Sequence, residues 1–93
     1  MPTNITQIED AGGGRTILRV KGEMLRDDAL LLERIGRQLQ SETGANVAID
    51  LADLDLLDSE SASVLKRLES QHGFELIGIE IFRQTIIDAA EKH

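Results

Sequence analysis

The chain has 93 residues, enough for one folded domain and too few for two. Seventeen acidic residues face ten basic ones, and the net charge of −7 repels phosphate backbones and anionic lipid, so neither nucleic-acid binding nor direct membrane insertion is expected. The absence of cysteine excludes disulfides and thiolate metal sites, and with Phe74 and Phe82 as the only Phe, Tyr or Trp residues the core must be built from Leu, Ile, Val and Ala.

Residues 4–9, NITQIE, alternate weakly and predict a first strand. Asp10–Gly14 is a turn, because its three glycines accept positive φ without steric cost. Residues 16–21, TILRVK, set Leu18 and Val20 against Arg19 and Lys21. This is a half-buried strand that closes a hairpin with the first. Arg15, Arg19 and Lys21 are the densest basic stretch, and they read as a solvated face.

A helix follows, capped by Asp27 or Asp28, with Leu31, Leu32, Ile35 and Leu39 as its inner stripe. Glu33 stands four residues before Arg37, at ion-pair spacing. Gly44 is its stop. Gly36 costs about 1 kcal/mol relative to Ala in mid-helix, and either close packing or a docking surface would account for it.

Residues 46–51, NVAIDL, form a short apolar strand. Residues 52–58, ADLDLLD, read as a loop into a second helix that starts near Ser59. Leu65 and Leu68 line its inner side with Ala62 or Val64, and Gly73 ends it. Residues 74–78, FELIG, predict a fourth strand. Residues 80–92 predict a third helix with Phe82, Ile86 and Ala89 inward.

The expected fold class is therefore α/β: a small mixed four-stranded sheet with helices packed on it, in the order β-β-α-β-α-β-α. It forms a single domain over residues 1–93. The start, MPTNITQIED, has no charged segment followed by an apolar one, and no apolar run approaches the ~20 residues that span a bilayer. A cytoplasmic location is expected.

Asp58-Ser59-Glu60-Ser61 is the most informative stretch, where a loop hands over to a helix. One reading is structural: Asp58 or Ser59 caps the helix, and Glu60 favours its positive end. The other is regulatory: Ser59 or Ser61 is a phosphoacceptor at a helix start that welcomes negative charge.

At these residues the chain resembles a known family, the STAS domain, found in anti-sigma-factor antagonists and at the cytoplasmic ends of sulfate transporters. Val20-Lys21-Gly22-Glu23-Met24 is similar to the end of that family's second strand. Val47-Ala48-Ile49-Asp50-Leu51 followed by Leu57-Asp58-Ser59 resembles its apolar strand and Asp-Ser run. Glu75-Leu76-Ile77-Gly78 leading into Phe82-Arg83 resembles its last strand and helix. The likeness covers nearly the whole chain.

The resemblance implies a non-catalytic regulatory module without a cofactor. It implies an anti-sigma-factor kinase or related switch protein as partner, docked on Leu56, Asp58, Ser59, Glu60 and Ser61. The apolar contact falls on Leu56 or Leu57. The family's helix start usually reads Asp-Ser-Ser/Thr-Gly, with the third residue phosphorylated. Here the third position is Glu60 and the fourth Ser61, so the acceptor hydroxyl is replaced by a carboxylate. Another departure is Leu25, in a slot after the second strand that is often acidic. The same edge in other members serves small accessory subunits of lipid-transport ABC ATPases, which is the alternative partner.

Catalytic readings are weaker. His72 precedes Gly73 at a helix end, where a cation suits the dipole, and His93 is the last residue. A small hydrolase using Ser59 would need a positioned base that the sequence does not show. Asp53, Asp55 and Asp58 read as a solvated acidic loop rather than a metal site. Gly12-Gly13-Gly14-Arg15-Thr16 lacks the Gly-Lys-Ser/Thr ending of a phosphate-binding loop and joins two strands.

Overall fold

The computed structural model describes residues 4–10, 14–44 and 46–78. Over that span the order is β1 (Asn4–Asp10), β2 (Arg15–Met24), α1 (Arg26–Thr43), β3 (Asn46–Asp50), β4 (Leu54–Leu57), α2 (Ser59–His72) and β5 (Glu75–Ile77). The third helix expected over residues 80–92 lies outside the described residues, as do Ala11, Gly12 and Gly13 of the hairpin turn.

β1 and β2 form the expected antiparallel hairpin, in register from Asn4 opposite Lys21 to Asp10 opposite Arg15. β3 runs parallel to β2, and β5 parallel to β3, giving the order β1-β2-β3-β5. Each parallel pair is joined through a helix, as strands that run in one direction require. The sheet has five strands rather than four. Within the predicted loop 52–58, Leu54–Leu57 pairs parallel with the end of β2 as β4. Gly22 faces Leu54 but Glu23 faces Leu56, so Asp55 is an extra residue in the ladder. This bulge breaks strict alternation. Leu54 and Leu57 are buried, while Asp55 and Leu56 between them are exposed.

Both helices contribute to one apolar cluster with the sheet. Leu18, Val20 and Met24 of β2 and Val47 and Ile49 of β3 belong to it, with Ala29 and Leu32 of α1, Ala62, Val64, Leu65 and Leu68 of α2, and Phe74. Both inward candidates on α2, Ala62 and Val64, are thus buried. The other side of β2 is polar at its edges. Arg15 bonds Glu75 of β5, two strands away, at 2.7 Å, and Arg19 meets Asp50 of the adjacent β3 at 3.4 Å, which ties β2 across the sheet.

Helix α1 departs from expectation in three respects. Its N-cap is Leu25, not Asp27 or Asp28. The Asp28 carboxylate reaches back and accepts the Leu25 N–H at 3.1 Å. This is one half of a capping box, since a leucine side chain has no oxygen to supply the other. Leu31 is exposed, and the inner face is Ala29, Leu32 and Gly36, with Ile35 and Leu39 partly buried beside it. Glu33 does not pair with Arg37. Its carboxylate accepts from Nε and Nη2 of Arg67 on α2, at 3.0 and 2.9 Å. A bidentate tertiary pair outcompetes an i,i+4 contact worth a few tenths of a kcal/mol.

Gly36 is a packing residue. A Cβ built there would lie 2.4 Å from Cε2 of the buried Phe74 ring. The helix axis comes this close to the sheet because no side chain intervenes. α1 and α2 end at Gly44 and Gly73, both left-handed, as predicted.

Candidate functional site

The start of α2 is built against the end of β2. Asp58 has extended backbone angles and is the N-cap, and its carboxylate accepts the Ser61 N–H at 2.8 Å. Of the two cap candidates, Asp58 therefore fills the role and Ser59 does not. The Ser61 hydroxyl donates to the Met24 carbonyl at 3.1 Å, and the Asp58 N–H donates to the same oxygen at 3.4 Å. One β2 carbonyl thus holds both the cap and the first turn of α2. These bonds satisfy backbone groups that a helix start otherwise leaves without partners.

The arrangement separates the two serines. Ser61 is fully buried with its hydroxyl engaged, so phosphate could reach it only by opening the helix start. Ser59 is exposed and follows the cap directly. Glu60 is exposed and lies in the first turn, where a carboxylate suits the helix dipole. Its Oε2 is 3.7 Å from Nε of Arg26, the first residue of α1. Both side chains are well exposed, and such a pair contributes at most about 1 kcal/mol.

An apolar pair stands beside these charges. Met24 and Leu57 are paired and both buried, while Glu23 and Leu56 are paired on the opposite side of the two strands. Leu25 follows β2 directly with extended angles (φ −103°, ψ 173°), one residue beyond the Met24–Leu57 pair. Leu25 is 48% exposed and Leu56 44%, high values for leucines. Leu56 is thus the outward candidate of the pair Leu56 and Leu57, and Leu57 is core. Asp53 and Asp55 are exposed close by. Leu25 was noted in the sequence only as a departure from an often acidic slot, and Arg26 was not legible as a site residue. Their placement depends on β4 pairing with β2, and β4 itself was read as loop.

Among the described residues, the one histidine does not stand beside Ser59. Ser59 and His72 are the first and last residues of α2, about 20 Å apart along the axis. His72 instead closes the far end of the helix: its carbonyl accepts from Gln40 at 2.8 Å and its ring lies 6.2 Å from that of Phe74. Among the described residues, no three His, Asp or Glu side chains converge as metal ligands. None of the described helices is long and apolar enough to cross a membrane.

No protein-family profile matches the sequence, and no curated protein matches it. Solved structures do. An antisigma-factor antagonist STAS domain from Rhodobacter sphaeroides superimposes with a TM-score of 0.58, at 18% identity, over 83% of this chain and 87% of that one. The chain has the fold of a STAS domain.

Proposed function

We propose that the chain is a non-catalytic regulatory module that binds a protein partner through the start of α2 and the sheet edge beside it. The contact comprises Leu56, Asp58, Ser59 and Glu60, with Leu25 added from the geometry. Ser61 belongs to the same turn as an internal strut. The observation that carries the reading is that two leucines, Leu25 at the end of β2 and Leu56 on β4, are exposed near an exposed helix start held by the Asp58 and Ser61 bonds. Clustered apolar side chains with a polar rim are the usual anatomy of a protein contact.

The partner class is an anti-sigma-factor kinase or a related switch protein. The STAS fold supports this, as does the solved neighbour, which is an antisigma-factor antagonist. In this reading Glu60 occupies the place of the family's phosphoacceptor. It supplies one permanent negative charge where a phosphate supplies nearly two, and that charge is shared with Arg26. Binding would then not be released by phosphorylation at residue 60. Ser59, not the buried Ser61, is the hydroxyl of this turn that is open to a kinase.

The test is affinity capture from the native lysate with wild type, Leu56→Asp and Glu60→Ser, reading partners and bait phosphate by mass spectrometry. Capture of a kinase by wild type and its loss with Leu56→Asp is the expected result. An ATPase of a lipid transporter, retained by all three baits, would instead favour an accessory-subunit role.

A further inference from the structure

The outer face of α1 has no partner among the described residues, and its pattern is complementary to itself. Asp27, Leu30, Leu31 and Arg34 recur at helical spacing on the side opposite the buried Ala29, Leu32 and Gly36. All four are exposed, Leu30 at 37% and Leu31 at 47%. Glu33, which the spacing would have offered to Arg37, is turned away to Arg67. Asp27, Arg34 and Arg37 are in no ion pair among the described residues. The face therefore reads acid, two leucines, base along the axis, and no described residue supplies a counter-ion to these charges.

We infer that this face binds a second copy of the chain, with the two α1 helices antiparallel about an axis between Leu30 and Leu31. The register follows from the numbering. An axis at that point places Leu30 of one copy opposite Leu31 of the other, and Asp27 of each opposite Arg34 of the other. One contact surface thereby supplies both halves of a two-fold interface, as closed dimers require. An open depression lined by Leu30, Glu33, Arg34, Arg37 and Gln38 lies beside this face. Charge selects this occupant over an anionic membrane. The −7 net charge opposes both a membrane and a second copy, but only the second copy offers an arginine to each Asp27 and an aspartate to each Arg34.

The face is small. Residues 27–38 form a stretch about 18 Å long and about 10 Å wide, well below the roughly 800 Å² per partner of a standard interface. The dimer is therefore weak, with Kd on the order of 0.1–1 mM, and is weakened further by salt.

Sedimentation velocity of the full chain from about 20 µM to about 1 mM tests it, at roughly 50 and 500 mM salt. Wild type is expected to shift toward dimer mass with concentration, and less so at high salt. Asp27→Arg and Arg34→Asp each place like charges at both ends of the interface and should weaken it roughly tenfold. An equimolar mixture of these two variants restores opposite charges at both ends, so it should regain wild-type association as a 1:1 heterodimer. Leu31→Glu should abolish association with either partner. All three positions are exposed, so each variant should fold, and circular dichroism checks this. A wild type that stays monomeric throughout, association indifferent to both reversals, or a mixture that fails to recover would each overturn the proposal.

Discussion

Gly36→Ala separates helix propensity from packing with a single carbon. In an exposed helix interior this change stabilises by about 1 kcal/mol. Here the new Cβ meets Cε2 of Phe74 at 2.4 Å and Cζ at 3.0 Å, while carbon atoms prefer about 3.5–4 Å. The ring would have to retreat by more than about 1 Å, yet Phe74 is 2% exposed and enclosed in the core cluster. Overpacking of this kind costs about 1–3 kcal/mol, and a contact this short belongs in the upper half of that range. The balance against propensity is a net loss of about 1–2 kcal/mol. Urea unfolding measures it directly, and the melting temperature should fall by about 4–8 °C per kcal/mol. The control is the same substitution in a Phe74→Leu background. There the obstructing ring is gone, and the alanine should be neutral or stabilising. The difference between backgrounds is the coupling energy, expected at about 1–3 kcal/mol. If Gly36→Ala alone stabilises the protein, the ring yields freely and the close approach of α1 to the sheet is not what the glycine is for.

Other changes test the anchoring of the site. Asp58→Ala removes the acceptor for the Ser61 N–H and should lower stability by about 1 kcal/mol in denaturant titration, whereas Asp58→Asn should lose little. Ser61→Ala deletes a buried hydroxyl bond to Met24 and should cost about 1 kcal/mol, and Ser61→Glu, which forces a charge into a fully buried place, should cost several or prevent folding. Arg67→Ala strips the paired donors from Glu33; because Arg67 is partly exposed, the loss should stay near or below about 1 kcal/mol and shrink in high salt. Leu56→Asp should leave the unfolding curve nearly unchanged, since that side chain is exposed, while removing partner capture.

The parts of the fold that were legible in the sequence rest on strong local signals. Leu18 and Val20 alternate with charges, and Gly44 and Gly73 follow helical stripes, so β2 and the ends of both helices could be placed. β4 could not, because the bulge at Asp55 puts its buried leucines three residues apart, a spacing with no strand period. Leu30-Leu31-Leu32 offers three phases to a helical stripe, and sequence periodicity cannot choose among adjacent leucines. The structure chose Leu32 and left the other two in solvent. The cap of α1 escaped notice because Leu25 carries no acceptor and Asp28 acts backward from the first turn.

The same limits governed the site. Asp58 was readable as a cap because the residue type and its place before a helix suffice. The different fates of Ser59 and Ser61 were not readable. They depend on Met24, 37 residues before Ser61 along the chain, presenting its carbonyl to one serine and not the other. The slot of Leu25 was marked by the resemblance, but its exposure was not, and Arg26 joined the site only through the turn into α1.

The central claim is that the face formed by Leu25, Leu56, Ser59 and Glu60 docks a switch protein whose hold does not depend on phosphorylation at residue 60. Capture from native lysate with and without ATP, comparing wild type with Glu60→Ser, tests it most directly. The account predicts one kinase recovered by both baits without ATP. Adding ATP should place phosphate on residue 60 of the serine variant and release it, while wild type stays bound. Equal behaviour of the two baits toward ATP, or a partner retained after Leu56→Asp, would contradict it.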